Sequence, residues 1–209
     1  MNSFGKALEL ELLIRPLLCI SLLLGLVFIW PQPLGAGPLQ DPDHPLRPLE
    51  IQLKELPEAL VKKIGRHLVL HRSRKQLLLL EQGKLLNRYP VAVGMAGWDT
   101  PVGGYRILDK QINPIWKHPQ TGELVPGGDI ENPLGSRWIG FHNDCLGRNG
   151  FDGERFLEID GCTSSGFHGT PHRWTIGHAV SHGCVRLFDE HIRDLFEKVK
   201  RGTPITVLP

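Results

Sequence analysis

Glycine and proline interrupt this chain of 209 residues along its whole length, and this limits the folds that it can adopt. The 24 glycines and 17 prolines break helices and favour turns. Between the breaks lie short apolar runs of strand length, such as residues 67–71. Residues 77–80 and 85–93 flank a turn and predict a β-hairpin, and residues 203–208 predict a final strand. We therefore predict a mainly β fold with few helices, either a sandwich or a partly closed barrel.

One helix is predicted near the C-terminus. It is recognised by an apolar stripe at helical spacing, formed by Ile192, Leu195, Phe196 and Val199. Asp189 is the predicted N-cap of this helix, and Gly202 is predicted to end it.

Residues 1–36 are predicted to be a targeting segment, either a cleaved signal peptide or a retained signal anchor. Residues 17–30 carry no charge and follow Lys6 and Arg15, which is typical of a secretory signal. The run is shorter than the roughly 20 residues of a membrane-spanning helix, which favours cleavage. The weak cleavage site near residues 34–37 favours retention. Both alternatives export the remaining chain to the cell envelope, either to the periplasm or to the outer face of the plasma membrane.

The exported part divides into a linker and one domain. Residues 37–65 are rich in proline in their first half, and we predict a linker there. Residues 66–209 are the predicted domain, and a hydrophobic content of 41% is enough for a buried core. The net charge of +2 gives no electrostatic basis for binding a nucleic acid.

A single cysteine with two nearby histidines carries the clearest chemical signal. The segment Ser181-His182-Gly183-Cys184 places Cys184 after a glycine, which lets the backbone turn tightly before the thiol. A thiol becomes an effective nucleophile when a base or a positive charge makes it a thiolate. His168 and His182 are the candidate bases, and His168 is favoured because it can reach across from a neighbouring strand. The amides of Gly183 and Cys184 are predicted to bind an oxyanion.

Three cysteines follow the targeting segment, which is an odd number for an exported domain. Cys145 and Cys162 bracket a polar insertion, and the exported compartment permits oxidation. We predict that these two form a disulfide and that Cys184 is a free thiol. Three free thiols are the alternative.

The segment from His168 to Leu187, HGTPHRWTIGHAVSHGCVRL, resembles the signature of the L,D-transpeptidase catalytic domain family. That signature has a His-Gly start, an Ile-Gly pair, and Ser-His-Gly-Cys followed by an apolar residue and Arg or Asn. Residues 100–105 and 132–138 are also similar to motifs of the family. The resemblance extends over residues 66–209 and implies a β-sandwich of mixed sheets, with a few short helices.

The resemblance implies a role for the residues around the thiol. Cys184 would be the nucleophile that forms a thioester with a donor peptide, and His168 would be the general base and then the acid. The backbone carbonyl of Gly169 would hold the His168 ring. Gly183, with His182 as support, would contribute to the oxyanion hole.

The resemblance also implies a substrate, a peptidoglycan stem peptide or a protein joined to one. Ser181 and Arg186 would shape the pocket, and Arg186 is a candidate for binding a substrate carboxylate. With water as the acceptor, the same residues would make an L,D-carboxypeptidase. No cofactor is implied. The insertion at residues 142–167 is longer and more polar than the family pattern, which leaves the exact substrate open.

Two alternatives come from other functional classes. A zinc site is suggested by two histidine pairs, His168 with His172 and His178 with His182. Pro171 and Gly177 disfavour the helices that would place each pair on one face, so we predict no metal site. A catalytically silent wall-binding domain is the second alternative, and the intact cysteine and histidine argue against it.

Overall fold

The computed structural model of this chain describes residues 51–209. The predicted targeting segment, residues 1–36, and the first part of the predicted linker lie outside the described residues. Within residues 51–209, no helix combines the length and the apolar character that crossing a membrane requires.

Strands dominate the described residues, and helices are few. The α-helices are α1 (Glu58–Val61) and α2 (Asp189–Lys198), and single 3-10 turns lie at Leu53–Glu55 and Arg173–Thr175. The strands in chain order are β1 (Arg66–His71), β2 (Gln76–Glu81), β3 (Lys84–Pro90), β4 (Val93–Gly94), β5 (Gly103–Arg106), β6 (Asp109–Ile112), β7 (Trp116–Lys117), β8 (Leu124–Val125), β9 (Arg137–Asp144), β10 (Arg148–Phe151), β11 (Phe156–Ile159), β12 (Thr163–His168), β13 (Ala179–Ser181), β14 (Val185–Arg186) and β15 (Pro204–Leu208).

Two mixed sheets enclose the main core. The larger sheet has five strands in the order β3-β2-β1-β15-β5, and its β1 and β15 are parallel. The second sheet has four strands in the order β14-β12-β9-β6, and its β12 and β14 are parallel. Both sheets contribute to one buried cluster, which includes Leu68, Leu79 and Val207 from the first and Phe141 and Phe167 from the second. The predicted β-sandwich of mixed sheets is confirmed.

The hairpin predicted from the leucine-rich run is formed by β2 and β3. These strands pair antiparallel from Gln76 opposite Pro90 to Glu81 opposite Lys84. The two residues between them, Gln82 and Gly83, have φ angles of 50° and 78°. Positive φ at both positions is the geometry of a tight two-residue hairpin turn, and glycine adopts it without a steric penalty.

The segment before β1 covers the outer face of the larger sheet. Ile51 and Leu56 are 1% and 6% exposed, and they form a second buried cluster with Val69, Leu78 and Leu80. Strands that are covered on both faces are apolar at every position, which explains the continuous leucine run of β2. Ile51 and Leu56 lie in the predicted linker but pack against the sheet, and we propose that the folded domain begins before residue 66.

The predicted C-terminal helix is present as α2, but both of its ends differ from the prediction. Asp189 is the first helical residue rather than the N-cap. Its carboxylate instead accepts hydrogen bonds from the backbone N–H and the hydroxyl of Ser136, at 2.8 and 2.9 Å. The helix ends at Lys198, before Gly202, because Val199 adopts an extended conformation and is buried in the core.

The polar insertion forms a hairpin of its own. Cys145 and Cys162 are joined by a disulfide, as predicted, and β10 and β11 pair antiparallel between them. Among the described residues, Cys184 is left as the free thiol. We call residues 145–162 the disulfide-closed hairpin.

We expect Ile51→Ala to lower the free energy of unfolding by about 2–4 kcal/mol, because the substitution removes a buried side chain from a packed cluster. Ile64→Ala is the matched control, since Ile64 is 91% exposed. Urea unfolding followed by tryptophan fluorescence measures both variants. If Ile51→Ala and the wild-type protein unfold at the same urea concentration, residues 51–65 are a linker after all.

Candidate active site

The site lies on two neighbouring parallel strands. In the pairing of β12 with β14, Phe167 is opposite Val185, and His168 is opposite Arg186. Phe167 and Val185 are buried in the core. Because side chains alternate between the faces of a strand, His168 and Arg186 lie on the face directed away from that core. Cys184, two residues before Arg186, lies on the same face, diagonal to His168 across the two strands.

The turn before Cys184 is held together by Ser181. Its hydroxyl donates to the backbone carbonyl of Cys184 at 2.5 Å and accepts from the N–H of Gly183 at 3.3 Å. Gly183 has a φ of 109°, in a region that residues with side chains rarely adopt. Ser181 is only 2% exposed. Its hydroxyl is therefore occupied inside the turn. The role in shaping the pocket that the family resemblance implies for Ser181 stays a prediction.

His168 is buried and held in one orientation. Its Nδ1 lies 2.5 Å from the carbonyl oxygen of Gly169. Burial, and next the charge of Arg186, lower the pKa of His168 to about 3. The ring is therefore neutral at physiological pH. Since a carbonyl oxygen accepts the hydrogen bond, the proton is on Nδ1, and Nε2 keeps the lone pair that a general base needs.

The space around Gly169 is limited by residues from distant parts of the chain. A Cβ atom at residue 169 would overlap the carboxylate oxygen of Asp189, and it would also approach Gly135. Asp189 is fixed in turn by its two hydrogen bonds from Ser136. Glycine is thus required at residue 169 for steric reasons. The sequence motif contains Gly169 but does not reveal the supporting role of Asp189.

Trp138 borders the site beside the histidine. Its ring stacks on that of His168, with ring centroids 6.1 Å apart and an angle of 23° between the planes. A Cβ atom at Gly166 would lie 2.7 Å from the Trp138 ring. The glycine at residue 166 therefore leaves room for the indole next to Cys184.

The Cys184 thiol is partly exposed. Its Sγ lies 3.6 Å from the carbonyl oxygen of Ser164. Burial raises the pKa of Cys184, while the Gly166 backbone and the charges of Arg186 and Arg148 act in the opposite direction. A thiol with a raised pKa needs a base close by before it can act as a nucleophile.

His182, the other candidate base, has a different environment. Its ring meets the Trp98 ring edge to face, with centroids 4.8 Å apart. Burial lowers the pKa of His182, and the carboxylate of Asp152 opposes this shift. Among the contacts described for this ring, none fixes a tautomer as Gly169 does for His168. The geometry favours His168 as the base and His182 as a supporting residue.

Two arginines flank Cys184. Arg186 lies two residues along the chain, and burial lowers the pKa of its guanidinium. Within residues 51–209, Cys184 is the group that opposes this lowering of the Arg186 pKa, and no carboxylate contributes. The second arginine, Arg148, comes from the disulfide-closed hairpin and donates to the carbonyl of His182 at 3.1 Å. The sequence motif gave no indication of Arg148, because it lies outside the signature.

The zinc alternative required two histidine pairs on helices. His168 instead ends strand β12, and residues 173–175 form only a single 3-10 turn. Across the described range, no three His, Cys, Asp or Glu side chains are grouped as a metal site requires.

The fold and this site together define the class of protein. The family model of the YkuD L,D-transpeptidase catalytic domain matches residues 65–207. The chain therefore belongs to the L,D-transpeptidase catalytic domain family, as its signature segment predicted.

Curated relatives agree with this assignment. The putative L,D-transpeptidase YqjB of Bacillus subtilis is 28% identical over 141 residues, which are 68% of this chain and 70% of the relative. The probable L,D-transpeptidase YbiS of Escherichia coli strain K12 is 33% identical over 131 residues, covering 56% of this chain and 35% of the relative. The chain thus spans only about a third of the second relative.

A solved structure agrees at the level of the fold. The crystal structure of a mutant of Enterococcus faecium L,D-transpeptidase superposes with a TM-score of 0.50 at 18% sequence identity. The superposition covers 69% of this chain and 50% of that chain. At this identity, the likeness shows a shared fold.

We expect the His168 ring to stay neutral down to about pH 4, which NMR of ring-labelled protein measures. The folded pKa of about 3 lies below the ordinary value of 6.5, so between them the unfolded chain binds a proton that the folded chain does not. The contribution of His168 to stability is therefore complete above pH 6.5 and declines as the pH falls toward 3. A His168 transition near its ordinary pKa would contradict this description of the site.

Proposed function

We propose that this protein is an exported L,D-transpeptidase that acts on peptidoglycan stem peptides through a thioester on Cys184. The pairing of β12 with β14 supports the proposal, because Arg186, two residues after Cys184, is opposite His168, whose Nδ1 lies 2.5 Å from the carbonyl oxygen of Gly169. Membership of the L,D-transpeptidase catalytic domain family supports the reaction class. The names of the relatives support the same activity.

The first half of the reaction forms the thioester. Nε2 of His168 takes the thiol proton, and the Cys184 sulfur attacks the carbonyl carbon before the terminal D-alanine of a tetrapeptide stem. The amides of Gly183 and Cys184 were both predicted as oxyanion donors, but the N–H of Gly183 donates to Ser181. We therefore propose the Cys184 amide as the principal oxyanion donor, with His182 in support. The bond to D-alanine then breaks, and its amine leaves with the proton that His168 returns.

The second half releases the acyl group. An amine from a second stem attacks the thioester, His168 accepts the amine proton, and the Cys184 thiol is restored as a new amide bond forms. An amine on a protein in place of the second stem gives a protein attached to the wall. Water as the acceptor gives an L,D-carboxypeptidase. These steps need no cofactor.

Arg186 fits the charge of the proposed substrate. A buried guanidinium costs free energy unless an anion compensates for it. The described residues supply no carboxylate for this purpose, and the cation lies on the same face as Cys184. A carboxylate of the donor stem is thus the proposed partner of Arg186, and it anchors the peptide while Cys184 reacts.

We expect Cys184→Ala to abolish release of D-alanine from a disaccharide tetrapeptide, because no other described thiol is free. His168→Ala is expected to slow the release by about 10²–10⁴-fold, the range for loss of a general base. Mass spectrometry of the products measures both rates. A cross-linked dimer identifies transfer, and a tripeptide identifies hydrolysis.

The same assay includes its own controls. Circular dichroism of Cys184→Ala checks that the fold is retained. Amidation of the tetrapeptide C-terminus removes the carboxylate that Arg186 is proposed to bind. The difference in reaction rate between the tetrapeptide and its C-terminal amide should therefore be smaller for Arg186→Gln than for the wild-type protein. Release of D-alanine by Cys184→Ala at the wild-type rate would remove the thioester from the mechanism.

The proposed substrate also requires export of the domain. The uncharged run at residues 17–30 supports this location, with the membrane reached through the N-terminal segment. Cell fractionation followed by N-terminal sequencing tests it: a start near residue 37 indicates cleavage, and a start at Met1 indicates retention. Recovery from the cytoplasm alone would contradict both export and access to peptidoglycan.

A further inference from the structure

Arg148 reaches the catalytic turn from outside the family signature. It is the first residue of β10 and lies three residues after Cys145, near the closed end of the disulfide-closed hairpin. It pairs there with Ile159 of β11. The disulfide and the strand pairing thus restrict the backbone from which the Arg148 side chain extends.

The guanidinium of Arg148 contacts the backbone at two points that are far apart in the chain. It donates to the carbonyl of His182 at 3.1 Å and to the carbonyl of Asp99 at 3.2 Å. A Cβ atom at Gly183 would lie 2.5 Å from the nearer nitrogen of this guanidinium. Both partners are neutral carbonyls, so the positive charge of Arg148 is not cancelled by either of them.

A second contact fixes the other end of the same strand. The indole N–H of Trp98 donates to the carbonyl of Phe151 at 3.2 Å, and Trp98 is completely buried. A Cβ atom at Gly150 would lie 2.9 Å from the indole nitrogen. The disulfide and the Trp98 contact therefore hold β10 at its two ends, with Arg148 between them.

We infer that Arg148 is a positioning residue. It fixes the peptide unit between His182 and Gly183, and its positive charge favours the thiolate form of Cys184. The carbonyl of His182 and the N–H of Gly183 belong to one planar peptide unit and point in opposite directions. A hydrogen bond to that carbonyl therefore also fixes the N–H that Ser181 accepts. The inference deepens the proposed function, on which it rests, by assigning part of the site to the disulfide-closed hairpin.

The charged and titratable groups near Cys184 in the described part of the chain come from several elements. Arg186 lies on β14, His168 on β12 and His182 in the turn, and Arg148 reaches in from β10. Burial raises the pKa of Cys184, and the charges of Arg186 and Arg148 oppose this shift. The carboxylate of Asp152, in the loop after β10, opposes the lowering of the His182 pKa by burial. Arg148 is thus one of the two arginines among residues 51–209 whose positive charge acts on the thiol.

Alkylation of Cys184 by iodoacetamide tests the inference without peptidoglycan. The rate is measured against pH on the full chain. Peptide mass spectrometry separates Cys184 from Cys19, the fourth cysteine of the chain, which lies in the predicted targeting segment. We expect Arg148→Gln to be alkylated about 3- to 10-fold more slowly at pH 7, with its profile moved to higher pH. Arg148→Lys keeps the charge, so its profile should remain close to that of the wild-type protein.

Arg155→Gln is the matched control, because Arg155 lies on the same hairpin, is exposed, and pairs only loosely with Asp152 at 3.9 Å. Its profile should follow that of the wild-type protein. The inference is overturned if Arg148→Gln has the wild-type profile, or if Arg155→Gln moves the profile equally far. Loss of stability alone would not move the pH of half-maximal alkylation in folded protein.

A double-mutant cycle tests whether the hairpin acts through Arg148. The double substitution Cys145→Ser and Cys162→Ser removes the disulfide. It should slow Cys184 alkylation when Arg148 is present. In a protein that already carries Arg148→Gln, it should slow alkylation little further. Equal slowing in both backgrounds would show that the hairpin acts by another contact and would overturn the inference.

The alkylation results are independent of the natural substrate. If Arg148→Gln moves the profile while wild-type protein releases no D-alanine, the proposed function fails and the positioning role stands. If wild-type protein releases D-alanine and the profile does not move, the positioning role fails alone.

Discussion

The site depends on the parallel pairing of a two-residue strand, β14, with the end of β12. This pairing sends Phe167 and Val185 into the core and leaves His168 and Arg186 on the opposite face. Cys184 lies two residues before Arg186, in a turn that the Ser181 hydroxyl closes by donating to the Cys184 carbonyl. The hydrophobic burial of two core side chains thus sets the geometry of a polar site, because alternate residues of one strand cannot turn independently.

Around that pairing, each polar group is held by an element from elsewhere in the chain. Asp189 of α2 limits the space at Gly169, and Gly169 in turn fixes the ring of His168. Arg148 of the disulfide-closed hairpin holds the carbonyl of His182. Side chains restrained by neighbours that are themselves restrained make a preorganised site, in which little reorganisation is needed during reaction.

Local sequence patterns predicted the elements and residues that depend on short-range rules. The β2–β3 hairpin, the body of α2, the Cys145–Cys162 disulfide and the catalytic motif all follow from spacing, turn chemistry or a contiguous signature. These features were enough to predict a mainly β fold and to single out the segment that contains Cys184.

The features that sequence reasoning missed depend on contacts between distant residues. Asp189 satisfies the rule for an N-cap, yet its carboxylate is engaged by Ser136, 53 residues earlier. The contact of Arg148 with residue 182 spans 34 residues. Ile51 belongs to a proline-rich stretch. It is nevertheless buried, because it packs on the apolar outer face of the larger sheet. The hydrogen bonds of Ser181 within the turn could likewise not be read from the motif.

The position of β15 has a consequence for how the chain folds. This strand, Pro204–Leu208, lies between β1 and β5 in the larger sheet, although it is the last of the five strands in chain order. In its parallel pairing with β1, Ile205 is opposite Leu68, so residues that are far apart in the chain must meet before the sheet can close. The entropy of closing so long a loop opposes this pairing until it is complete. We therefore expect closure of the larger sheet to be a late step in folding.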